Sequence, residues 1–86
     1  MDLQQLRGEI NSIDVELVRL FCRRMEISAA IGAYKAEHGL PVRDQIREEE
    51  VIKQVQAISD AQFAHHVKAL YETIFTLSRE HQNEVI

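Results

Sequence analysis

The residues that could do chemistry sit where a helix should be apolar. In the opening run, Leu3, Leu6, Ile10, Ile13, Leu17, Leu20, Ile27, Ile31 and Tyr34 recur at alternating steps of three and four, the stripe of one long amphipathic helix. Arg24 occupies the slot between Leu20 and Ile27. A guanidinium does not deprotonate, and burying one alone is costly, so this position calls for an acidic partner or for an anion from outside. Lys35 follows at a distance of about 20° around the helix and roughly 16 Å along it, with Ser28 and Ile31 between. Arg47 and Glu48 open a second helical stretch, and Ser78 and Gln82 stand one turn apart on a third. Such a set suits a small, partly apolar dianion. Arg24 is a bidentate clamp, Lys35 a point charge, Arg47 a further cation, Glu48 an acceptor for a hydroxyl, and Ser78 and Gln82 neutral donors. None of them pairs with another as nucleophile and base, and no zinc-ligand spacing occurs, so the expected chemistry uses no covalent intermediate, no metal and no cofactor.

Arg7 adds a constraint of distance. It lies about 25 Å before Arg24 on the same helix and roughly 100° around it, so the two cannot serve one small ligand within one chain. An antiparallel pairing of two such helices, centred near Ile13 to Leu17, brings Arg7 of one chain opposite Arg24 of the other. A twofold dimer then has two equivalent pockets, each completed in trans.

The elements that must position these residues read as three helices in a single domain, 1–86. With one proline, three glycines and 45% apolar content over 86 residues, the chain is helix-rich and all-α. The first helix begins near Asp2 and runs to about Glu37 or His38, where Gly39 offers the left-handed position and Pro41 prevents continuation. Asp44 is the N-cap of a second helix, Gln45 to about Ile58, with apolar residues Val51, Ile52, Val55 and Ile58. Ser59-Asp60-Ala61-Gln62 fits a capping box opening a third helix, whose stripe is Phe63, Val67, Leu70, Ile74 and Leu77. A first helix of ~50 Å is longer than a domain of this size is wide, so an obligate homodimer is expected. The net charge of −4, with cations scattered among apolar positions, argues against nucleic-acid binding. Cys22 is alone and is expected to be a small packing residue. No run is apolar enough to span a membrane or to act as a secretory signal, so the expected setting is cytoplasmic.

At these residues the chain resembles the all-helical class of chorismate mutases. The matching pieces are Leu6-Arg7 with Ile10 and Asp14, Arg23-Arg24, Gly32 with Lys35, the run Pro41-Val42-Arg43-Asp44-x-x-Arg47-Glu48, and Ser78-x-x-x-Gln82. Each is weak alone, and the run from Pro41 to Glu48 is the most specific. The resemblance implies an intertwined dimer of three-helix chains that rearranges chorismate to prephenate, on the route to phenylalanine and tyrosine. It implies that Arg24 and the other chain's residue 7 hold the two carboxylates, helped by Arg47 and Ser78. Lys35 and Gln82 donate to the ether oxygen, while Asp44, through its backbone, and Glu48 receive the ring hydroxyl. The catalytic set is then Lys35, Gln82 and Arg24.

Plainer readings stand beside these. Taken alone, Arg24 is a core-edge arginine snorkelling to solvent or paired with an acid, and Arg7 a surface cation. Arg43 reads as a solvated loop residue, Arg23 as a salt-bridging neighbour, and His65-His66 as surface, since adjacent positions face different sides of a helix. The run Arg47-Glu48-Glu49-Glu50 is more acidic than a dianion site calls for. Two rival functions remain: elimination of pyruvate from isochorismate on the same scaffold, and a non-catalytic regulatory or interaction module.

Overall fold

The computed structural model describes residues 1–85, and the last residue of the expected 1–86 domain lies outside them. Three helices follow one another: α1 (Leu3–Glu37), α2 (Gln45–Ile58) and α3 (Ala64–Val85). Helix α3 packs against both α1 and α2. The molecule measures 54 × 25 × 15 Å with a radius of gyration of 15.8 Å. A compact chain of this length would have a radius of about 12 Å. Among the described residues no helix is long and apolar enough to cross a membrane.

The ends of α1 are fixed by local hydrogen bonds. Asp2 accepts from the Gln5 amide at 2.8 Å, and the Gln5 side chain accepts from the Asp2 amide at 3.0 Å, a reciprocal cap. At the other end Gly39 takes φ +65°. The Leu40 amide then donates to the Lys35 carbonyl at 2.8 Å and the Gly39 amide to Ala36 at 3.4 Å. This Schellman closure turns the chain into Pro41 and Val42 directly beside Lys35. Asp44 caps α2 by accepting from the Arg47 amide at 3.0 Å.

Three sequence expectations are corrected here. Ser59 opens no capping box. It ends α2, its hydroxyl donating to the Gln56 carbonyl at 2.8 Å, and Asp60 instead caps a 3₁₀ turn, Ala61–Phe63, by accepting from the Gln62 amide. Asp60 wins because it stands two residues before Gln62, the reach that a 3₁₀ start needs. On α3 the buried residues are Ile74, Phe75, Ser78 and Gln82, while Phe63, Leu70 and Leu77 of the expected stripe are exposed. The face that meets α1 and α2 is thus rotated towards the polar positions. Cys22 is exposed and is not a packing residue within this chain.

The α1 stripe is exposed along its length, Ile13 at 60% and Leu17 at 55%, and the buried residues of α1 are Ser28 and Gly32. Gly32 is the point of closest approach to α3. A Cβ built there would lie 2.9 Å from Gln82 Cγ and 3.0 Å from its Cβ. These atoms are near the backbone and cannot swing away, so Gly32→Ala is expected to lower stability by about 1 kcal/mol or more, overpacking exceeding the ~1 kcal/mol gain in helix propensity. Chemical denaturation of the two proteins checks it; an alanine variant as stable as the parent would contradict this packing.

Candidate active site

Where α1, α2 and α3 converge they enclose a cavity of about 320 Å³. Its walls carry Arg24, Ser28, Ile31 and Lys35 from α1, Asp44, Arg47, Glu48 and Val51 from the start of α2, and Phe75, Ser78, Arg79 and Gln82 from α3. The cavity therefore brings together seven of the eight site residues expected from sequence: Arg24, Lys35, Asp44, Arg47, Glu48, Ser78 and Gln82. Arg7 is exposed and is not among the lining residues. Ile31, Val51 and Phe75 supply apolar wall, whereas Ile74, on the same helix as Phe75, does not line the cavity.

Arg24 has no carboxylate partner among the described ion pairs. Its guanidinium lies over the rings of Tyr71 and Phe75, at 5.6 and 5.8 Å from their centroids. The aromatic faces orient the charge without neutralising it. Lys35 donates to the Val42 carbonyl at 2.7 Å, which ties its ammonium to the loop that the Schellman turn delivers. An ammonium has three donors, so this contact leaves capacity for a ligand. Arg47 turns outward to Glu50 at 3.4 Å, with both side chains more than half exposed. Such a pair holds weakly and leaves the guanidinium free to move inward.

Gln82 is only 6% exposed, and its amide nitrogen donates to the Ser28 carbonyl at 3.0 Å and to Ser28 Oγ at 2.9 Å. Its Oε1 is buried without a hydrogen-bond partner. An orphaned buried acceptor costs about 1 to 3 kcal/mol, so it marks a place built for something besides the fold. Ser78, also buried, has only a long contact to the Met25 sulfur at 3.8 Å and keeps its hydroxyl available.

Arg79 was not singled out from sequence. It forms an ion pair with Glu48 across the α2–α3 junction, the side chains 24% and 20% exposed. Arg79 follows Ser78 by one residue and precedes Gln82 by three, and its place between them is the feature that could have revealed it. With Arg79 counted, the lining holds four cations against the carboxylates of Asp44 and Glu48, a formal excess of two that is one while Arg47 pairs outward with Glu50 and two once it turns in. The acidity of the run after Arg47 is thereby offset from another helix. Glu49 and Glu50 are exposed, and Arg23 pairs with Glu26 at 3.3 Å on the surface. His65 and His66 are exposed, and no group of three or more potential metal ligands occurs among the described residues.

Residues 6–83, nearly the whole chain, match the family described as Chorismate mutase type II. The chain belongs to this family. Its fold is similar to the form II structure of chorismate mutase from Thermus thermophilus, with a TM-score of 0.90 and 30% identity over 94% of this chain and 93% of that one. The family's three-helix, all-α architecture is thus the architecture seen here. Among curated relatives, a T-protein from Haemophilus influenzae is 46% identical over 46 residues, which is 54% of this chain and 12% of that protein. A 4-amino-4-deoxychorismate mutase from Streptomyces venezuelae is 37% identical over 41 residues, 48% of this chain and 40% of that protein. The chain therefore spans well under two thirds of the length of these curated relatives.

Proposed function

We propose that this chain rearranges chorismate to prephenate in a single pericyclic step. The observation that carries the reading is the cavity's formal excess of two positive charges, reached when Arg47 turns in from Glu50, set on apolar walls and with Arg24, Lys35 and Arg47 at positions that match the family's motifs. Chorismate is a dicarboxylate of matching charge. In the rearrangement one C–O ether bond breaks as one C–C bond forms, with no proton to transfer and no covalent enzyme intermediate. The protein's tasks are to hold the compact conformer and to stabilise the negative charge that grows on the ether oxygen.

Arg24 takes one carboxylate, with Arg47 and Ser78 assisting. Lys35 and Gln82 donate to the ether oxygen, where donors already in place act more on the transition state than on the substrate. For Gln82 this requires its amide to turn so that an N–H leaves Ser28 and faces the ligand. The orphaned Oε1 then meets the Ser28 hydroxyl, which can donate to it. The backbone at Asp44 and the Glu48 carboxylate receive the ring hydroxyl. The second substrate carboxylate is held by Arg7 of a second copy, in a homodimer whose seam is the exposed α1 stripe. The unit is one domain, and its single exposed thiol, Cys22, fits the reducing cytoplasm.

Loss of chorismate absorbance with identification of prephenate tests the activity. Salicylate from isochorismate, with little turnover of chorismate, would overturn it in favour of the lyase, and binding without turnover in favour of a non-catalytic module.

The trans arrangement is tested by complementation. Arg7→Ala and Arg24→Met are each expected to be almost inactive, while co-expression of the two restores about a quarter of parental activity, because half of the dimers are mixed and each has one intact site. No recovery on mixing would overturn the trans arrangement, and an Arg7→Ala chain of parental activity would place Arg7 outside the site.

Gln82→Glu tests the ether contact. A carboxyl donates only while protonated, so this variant is active below its own pKa and loses activity as pH rises through it. The ordinary value is about 4.3, and burial raises it. The variant's kcat/KM should therefore fall between roughly pH 5 and 8, where the parent varies little. Parallel profiles would remove Gln82 from the ether oxygen.

A further inference from the structure

Resting on the chorismate reading, we propose that Arg79 is a specificity-determining residue: by neutralising Glu48 it sets the hydroxyl subsite for a neutral donor and against a cationic one. The pair joins residues 31 apart in sequence, on α2 and α3, and both side chains are about three quarters or more buried. Arg47, the cation next to Glu48 in sequence, is turned away to Glu50, so the charge that Glu48 meets is that of Arg79. A second guanidinium nitrogen of Arg79 donates to Thr76 Oγ1 at 3.4 Å, which steadies the fork from its own helix.

The consequence follows from what each ligand group requires. A hydroxyl needs an acceptor. Glu48 meets Arg79 through Oε2, and its Oε1 still carries lone pairs for an O–H donor. An ammonium at the same place would need a net negative site, because its desolvation must be offset by an opposing charge. Beside an ion pair it finds none: the attraction of Glu48 is cancelled by the repulsion of Arg79, and the Asp44 carboxylate is engaged in capping α2 through the Arg47 amide. A primary amine on the ring is protonated near neutral pH, so chorismate and 4-amino-4-deoxychorismate differ at this subsite by a full charge. The similarity to a mutase named for the 4-amino compound makes that choice a real one for this scaffold. Discrimination of this kind works by a built-in repulsion as much as by attraction.

The test compares kcat/KM for chorismate and for 4-amino-4-deoxychorismate in the parent chain, Arg79→Met, Arg79→Lys and Glu48→Gln. The parent should prefer chorismate. Arg79→Met should move the ratio towards the amino compound by about tenfold or more. Arg79→Lys, which keeps the charge, should hold the parental ratio. Glu48→Gln, which leaves Arg79 unopposed, should move it the other way. Shifts of opposite sign cannot both come from loss of fold, and Arg79→Gln, which removes the charge but keeps a polar side chain, carries the same expected shift as Arg79→Met if the methionine variant is too unstable to assay. Equal losses on both substrates, an unmoved ratio in Glu48→Gln, or a lysine variant that behaves like methionine would overturn the role of Arg79. A parent chain that turns over neither compound would overturn the chorismate reading itself, and this inference with it.

Discussion

Positive charge held between packed helices must be answered by negative charge, and around this cavity the chain supplies too little of it. Arg24, Lys35 and Arg79 stand against the carboxylates of Asp44 and Glu48, with Arg47 at the rim turned out to Glu50, and Arg24 rests on aromatic rings in place of an acid. A fold optimised for stability alone would fill the Arg24 slot with an aliphatic side chain, since buried ionic groups seldom add net stability over well-packed apolar ones. On the proposed function the unanswered charge is a cost carried for a ligand. It becomes favourable when a doubly negative molecule enters, and the apolar walls of Ile31, Val51 and Phe75 suit a compact carbon skeleton.

Each surrounding element fixes one part of this charge pattern. The Schellman turn after Glu37 brings Val42 under the Lys35 ammonium, and Gly32 lets α3 come close enough for Gln82 to reach Ser28. The same economy leaves α1 unfinished. Its apolar stripe stays exposed from the cavity to the opposite end, so on the proposed function the long helix serves two surfaces, one towards the ligand and one towards a second chain. On that reading a residue such as Arg7 acquires its meaning across the second surface.

Much of this was legible in the sequence because helices repeat. The caps at Asp2 and Asp44, the left-handed Gly39 and the bounds of the first two helices follow from residue types within a turn of each end. Arg24 and Lys35 stood out as charges inside a stripe. What could not be read was set by contacts between helices. The rotation of α3 that buries Phe75 and exposes Leu70 depends on how it fits two partners at once, not on its own periodicity. Arg79 did not stand out because its partner lies on another helix, and Gln82 showed no hint that its amide nitrogen would be engaged by Ser28. Asp60 rather than Ser59 captured the turn before α3, a competition between neighbouring side chains that pattern alone does not rank.

Matching of a double negative charge to the cavity is tested most directly by ligand-induced stabilisation, because a molecule that binds only the folded chain raises its unfolding temperature. Thermal unfolding should be compared in the presence of prephenate, a dianion of the right skeleton, and of benzoate, a monoanion, at equal concentration and ionic strength. A clear rise with prephenate and none with benzoate is the expected result. Equal shifts with the two, or no shift with either, would contradict a cavity built for a dianion.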